Sequence, residues 1–161
     1  MKFSFDIRGY LEPHERIETD LKSLKENLVD GINNSETRQK LYDGYLRYNE
    51  DLKTLLEGQK YTQWVDGSFV SNKINPRDVD LVNLIDHQVV DKFEKELKQF
   101  IKSEGKNRYG VDGYILRIYP EGHPKYVRTQ SDLVYWETWF SKSKINRRKQ
   151  RFPKGFLELK F

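Results

Sequence analysis

Two aspartates separated by one valine, Asp78-Val79-Asp80, are the residues of this chain best suited to chemistry. Side chains alternate along an extended strand, so both carboxylates leave on one face, about 7 Å apart along the chain. Val79 and Leu81 take the other face, and the run Val79 to Ile85 is nearly continuous in apolar residues, as a central, doubly covered strand would be. Two like charges on such a strand cost free energy unless a cation neutralises them. A hard divalent ion with oxygen ligands, Mg²⁺ or Mn²⁺, meets that need.

Upstream, Asp66-Gly67-Ser68 ends a strand-like run that begins at Tyr61. Glycine lets the backbone turn tightly, and the N–H groups of a following helical turn, with the Ser68 hydroxyl, form a receptor for phosphate oxygens. Lys73 and Arg77 lie in the loop between the turn and the aspartates, where either meets a phosphate. A third carboxylate, Asp112, opens the run Val111 to Tyr119; the plainer reading makes it a turn residue between Gly110 and Gly113. Asp132 is a poorer rival, because an acid in the first turn of a helix starting at Ser131 is explained by the helix dipole. Each feature alone is ordinary. An Asp-x-Asp arises by chance in a chain that is 34% charged, and a lone Gly-Ser is usually only a turn.

Together, Gly67-Ser68, the nine residues Phe69 to Arg77, and Asp78-Val79-Asp80-Leu81 resemble the signature of the nucleotidyltransferase superfamily that includes DNA polymerase beta. Asp66 departs from the pattern, which usually has a hydrophobic residue before the glycine. Across its length, from the GYLEPH opening through WVDGSFV, NPRDVDLV, EGHP and DLVYWETWF to RFPKGFLELKF, the chain is similar to a small bacterial branch of that superfamily. The polymerase-beta-like resemblance implies two Mg²⁺ (or Mn²⁺) ions held by Asp78, Asp80 and Asp112, and nucleotide phosphates held by Gly67, Ser68 and Lys73. The implied activity moves an NMP group from an NTP to a protein or RNA hydroxyl, tRNA among the RNAs. Small superfamily members occur in toxin–antitoxin and phage-defence modules, so the resemblance admits a cognate toxin or antitoxin partner. A second reading is a non-catalytic nucleotide- or nucleic-acid-binding partner, an antitoxin or regulatory module that keeps the fold. A metal-dependent nuclease using the same acids is disfavoured by the Gly-Ser phosphate turn.

The elements that must position these residues follow from periodicity. Thr19 or Asp20 caps a first helix bearing Leu21, Leu24, Leu28 and Val29 and stopped at Gly31. Ser35 opens a second helix with the stripe Leu41, Tyr45, Tyr48, Leu52, ended by Gly58. A third helix spans Asp86 to Ser103 and stops at Gly105; a fourth, aromatic one spans Ser131 to Ser141, with Tyr135, Trp136, Trp139 and Phe140 read as core. Phe156 to Phe161 is a last strand, and residues 3 to 18 an extended lead-in. The order predicts an α+β fold, a nucleotidyltransferase-like mixed β-sheet with helices packed mainly on one face.

At 161 residues the chain suits one domain: residues 1–58 a helical N-terminal part, 59–119 the catalytic core, 120–161 the C-terminal helix and strand. It has no cysteine, which excludes disulfides, thiolate metal sites and a cysteine nucleophile. No apolar run of about 18 residues and no signal-like start is present, so a cytoplasmic protein without a membrane partner is expected. The net charge of +4 permits contact with nucleic acid, and Lys142, Lys144, Arg147, Arg148, Lys149, Arg151 and Lys154 form the strongest basic cluster, which would hold an RNA acceptor, grip triphosphates or be a solvated linker. His14, His87 and His123 are scattered without metal-ligand spacing.

Overall fold

Ser35 sets the start of the longest helix. Its hydroxyl accepts the N–H groups of Thr37 and Arg38, and α2 then runs from Arg38 to Leu55. Leu41, Tyr45, Tyr48 and Leu52, spaced three or four apart, are its buried face. The computed structural model describes residues 1–161. Before α2, Asp20 caps α1 (Leu21–Lys25) by accepting the Ser23 N–H at 2.7 Å, and Glu26–Asp30 continues it as a wider π turn.

Residues 3–18 are more ordered than a lead-in. β1 (Ser4–Phe5) and β2 (Leu11–Glu12) pair antiparallel, and β3 (Arg16–Glu18) joins the main sheet. Strands of two or three residues are too short to carry a period, which is why the sequence does not reveal them. The main sheet adds β4 (Thr62–Asp66), β5 (Val79–Asp86), β6 (Val111–Ile118) and β7 (Phe156–Lys160), in the order β3-β7-β4-β5-β6. β3 pairs parallel with β7 and β5 with β6; the other two pairings are antiparallel. The fold is α+β with a mixed sheet.

A parallel β5–β6 pair needs a crossover. The expected single helix from Asp86 to Ser103 is instead α3 (His87–Lys92), a 3₁₀ stretch Glu96–Phe100 and α4 (Lys102–Tyr109). Leu97 and Phe100, three apart, are both buried, which suits the tighter 3₁₀ winding. Gly105 does not end a helix but lies inside α4: a Cβ there would stand 2.8 Å from the Phe100 carbonyl oxygen and 2.9 Å from that of Val111. It is glycine because backbones meet, and Gly110, left-handed at φ 74°, is the cap. The last helix, α5 (Tyr126–Phe140), begins five residues before Ser131, so Asp132 sits inside it and the first-turn explanation of that acid falls.

Alternation divides the sheet. Val65, Val79, Leu81, Ile85, Leu157 and Leu159 face a core of 25 buried residues drawn from Phe3 to Leu159, with α1, α2 and α4 over it. Full burial of a side chain such as Leu81 contributes about 2 kcal/mol. Trp64, Val82, Leu116 and Phe156 face the other way and meet Phe140 of α5, which with Trp136 covers that side. Inside the larger core a polar chain fixes register: Tyr45 OH donates to Gln63 Oε1, and Gln63 Nε2 donates to Asn49 Oδ1 and Asn83 Oδ1, each at 2.7 Å. Gln63 and Asn83 are opposite one another on β4 and β5, so a slip of one residue would bury these amides without partners. No helix is long and apolar enough to cross a membrane.

Candidate active site

Register gathers the acids. Asp66, the last residue of β4, is opposite Asp80 of β5, and Asp80 is opposite Asp112 of β6. Residues opposite one another share a face, so three adjacent strands carry one row of carboxylates, on the same face as Trp64, Val82 and Leu116. Asp78 stands just before β5 and lines, with Asp66 and Asp80, a cleft of about 920 Å³. Gly67, Ser68, Lys73, Arg77, Lys106, Lys144 and Lys154 line the same cleft. Asp112 is half-buried beside Asp80 and is not among the lining residues.

Gly67 is required twice over. Its φ of 80° is left-handed, and a Cβ built on it would lie 1.8 Å from Oδ2 of Asp80. The turn is therefore folded directly onto the carboxylate, and Ser68 opens the 3₁₀ turn Ser68–Val70 that follows.

The charges are not evenly satisfied. Lys154 Nζ sits 2.5 Å from both oxygens of Asp66 in a buried pair. Burial pushes the Asp66 carboxyl up, and the Lys154 ammonium pulls it the other way. Lys154 thus accompanies Asp66 into the interior. Lys106 Nζ is 2.5 Å from Asp78, which holds the lysine's pKa above its usual range. Asp80 has no such ion pair. Burial first, then the negative charges of Asp78, Asp66 and Asp112, push its carboxyl up to about 6.

Arg38 is the residue the sequence conceals. It is 1% exposed, yet no carboxylate pairs with it. Its guanidinium donates to the carbonyl oxygens of Leu28 (2.8 Å), Phe69 (2.8 Å), Ser71 (2.7 Å) and Lys73 (2.6 Å). Burial alone lowers it to about 10. The first residue of α2 thus pins the loop from Ser68 to Lys73, which no local pattern in the sequence announces. Lys106 was likewise not legible as a site residue, and Lys154, read only as part of the basic cluster, gave no sign of its pairing with Asp66.

The pattern of the Family of unknown function (DUF6932) matches residues 3–160. The chain belongs to that family. No curated protein and no solved structure matches it.

In this DUF6932 chain, Asp78, Asp80 and Asp112 are a hard-oxygen donor set of the kind Mg²⁺ and Mn²⁺ take. As the side chains stand, no three His, Cys, Asp or Glu are gathered tightly enough to hold a metal ion, and Lys106 occupies Asp78. The chemistry of the donors fits a divalent ion, and Asp80 and Asp112 are the two of the four carboxylates that no cation pairs with. Binding there requires Lys106 to yield.

At the opposite end of β5 and β6, His87 and His123, scattered in sequence, come together. Their ring centroids are 4.8 Å apart, and each lies within 4.8 Å of the Tyr119 ring. His14 is not part of that group and is 3.4 Å from Asp6. Of the aromatic residues read as core, Trp136 and Phe140 pack on the sheet, whereas Tyr135 and Trp139 are 60% and 47% exposed. α5 has only one face against the sheet, and these two residues fall off it.

Proposed function

We propose that this chain is a metal-dependent nucleotidyltransferase that moves an NMP group from an NTP to a hydroxyl of a protein or an RNA. The observation that carries the reading is the row Asp66–Asp80–Asp112 with Asp78 beside it, capped by a glycine turn folded onto Asp80. Carboxylates packed this way are costly without a cation, and a site with that cost and an open cleft is a functional candidate.

Asp78, Asp80 and Asp112 would hold two divalent ions, Mg²⁺ or Mn²⁺, which supply charge neutralisation for an in-line displacement when bound. Gly67 and Ser68 receive the β- and γ-phosphates, with Lys73 in reach from the cleft wall. Asp112 takes the proton of the attacking hydroxyl. The oxygen bonds to the α-phosphorus as the bond to the β-phosphate breaks, and pyrophosphate leaves. Transfer is mainly positioning and charge stabilisation, so a chain without cysteine is no worse equipped. Such an activity suits a toxin–antitoxin or phage-defence module.

One observation favours a second reading. Lys106 on Asp78 and Lys154 on Asp66 already neutralise two of the four acids, as they would in a binding partner that keeps the fold without turnover. Incubation with each labelled NTP, Mn²⁺, bulk tRNA and cell lysate separates the two. Label in RNA or protein, lost in Asp78→Asn and Asp80→Asn, supports transfer; NTP binding with no label supports the module.

A further inference from the structure

We infer that the acceptor is a single-stranded RNA, bound along a basic hairpin loop and stacked on an exposed aromatic pair at the rim of the carboxylate cleft. This rests on the nucleotidyltransferase reading and names its substrate class.

The loop follows α5. A bridge between Lys142 and Pro153, with the Ser143 N–H donating to the Phe152 carbonyl at 2.8 Å, closes its base. Its tip is a built turn: Asn146 Oδ1 accepts the N–H groups of Arg148 and Gln150, each at 2.9 Å, and Lys149 is left-handed at φ 59°. Lys154, just past the base, anchors the loop to the site through Asp66. Between Glu137 and Glu158 there is no acidic residue, and Lys142, Lys144, Arg147, Arg148, Lys149 and Arg151 are all exposed and form no salt bridge. A solvated surface usually mixes signs, and this one does not.

Charge alone would suit any polyanion. The second observation is aromatic. Trp139 is 47% exposed, stacks parallel to Tyr135 at 6.5 Å, and lies under the Arg151 guanidinium at 5.5 Å. Exposed rings beside arginine are a platform for unpaired bases, which a duplex hides and a peptide lacks. Trp139, Lys142, Lys144 and Arg151 line the same cleft as Asp78 and Asp80. The charge is also more than a nucleotide triphosphate at Gly67 needs, and Arg147, Arg148 and Lys149 at its tip are not among the residues that line the cleft.

The test is fluorescence anisotropy of a labelled single-stranded oligouridylate at several salt concentrations, with the same sequence as DNA and an RNA duplex alongside. Single-stranded RNA should bind most tightly and quench tryptophan emission. The variant R147E/R148E/K149E should weaken binding at least tenfold and make the salt slope shallower by about 2, since each neutralised phosphate of a single strand contributes about 0.7. Trp139→Ala should cost about tenfold and abolish quenching, and Trp139→Phe should restore most of the affinity. Unchanged melting temperatures check that the variants fold. No binding, equal binding of duplex, tighter binding of DNA, or affinity indifferent to these substitutions would overturn the inference. Label transferred only to protein in an Asp80-dependent way overturns it while leaving the nucleotidyltransferase reading intact; RNA binding at the loop with no transfer to any acceptor overturns the nucleotidyltransferase reading and the acceptor role with it, leaving only an RNA-binding surface.

Discussion

Asp80 is where residue-scale chemistry is most exposed to measurement. Its carboxyl, pushed up to about 6 by burial and by Asp78, Asp66 and Asp112, ionises less readily in the folded chain than in the unfolded one. Between the ordinary aspartate range and about 6 the native state therefore binds the extra proton, and this group's contribution to stability falls as pH rises through that window. Above it, carrying the charge costs up to about 3 kcal/mol without metal. Asp80→Asn should accordingly raise metal-free stability at neutral pH and flatten the dependence between about pH 4 and 6, read by urea denaturation across that range. An unchanged profile would show that the charge is not strained. Lys154 makes the opposite case. Lys154→Met leaves Asp66 buried with no cation and should cost about 3–5 kcal/mol, much of it recovered when Asp66→Leu is added. Chemical denaturation of the two single variants and the double measures that coupling.

At the scale of elements, the loop that holds Gly67 and Lys73 owes its shape to α2. Arg38 donates to five carbonyl oxygens, those of Leu28, Ser68, Phe69, Ser71 and Lys73, so Arg38→Met should destabilise by about 4 kcal/mol and loosen Ser68 to Lys73, seen as faster amide exchange there than elsewhere. The long helix, the two central strands and the last strand were legible because their apolar spacing runs for several turns or pleats. Asp78 and Asp80 were legible from their one-residue spacing at the start of an apolar strand, and Gly67 from the turn that ends the strand before it. What escaped was non-local. β3 exists because Ile17 finds Leu157; α4 passes through Gly105 because two carbonyls crowd it; Lys106 and Lys154 reach the acids only after the chain has crossed over. Tyr135 and Trp139 looked like core because spacing cannot tell which faces of a short aromatic helix find a partner.

Across the whole molecule, a mixed sheet with a large core on one side and α5 alone on the other leaves the ends of β4, β5 and β6 open at one rim. Asp66, Asp78 and Asp80 line that rim together with lysines and arginines, and Asp80 there has no cation paired with it. That rim is expected to take a divalent ion together with a nucleotide. The direct measurement is the thermal melt of the wild-type chain and of Asp80→Asn, each with Mn²⁺ and each NTP in turn. At ligand concentrations about a hundredfold above Kd, the wild type should gain about 5–10 °C with at least one NTP only when Mn²⁺ is present, and Asp80→Asn should gain none. No shift in the wild type, or an equal shift in Asp80→Asn, would contradict it.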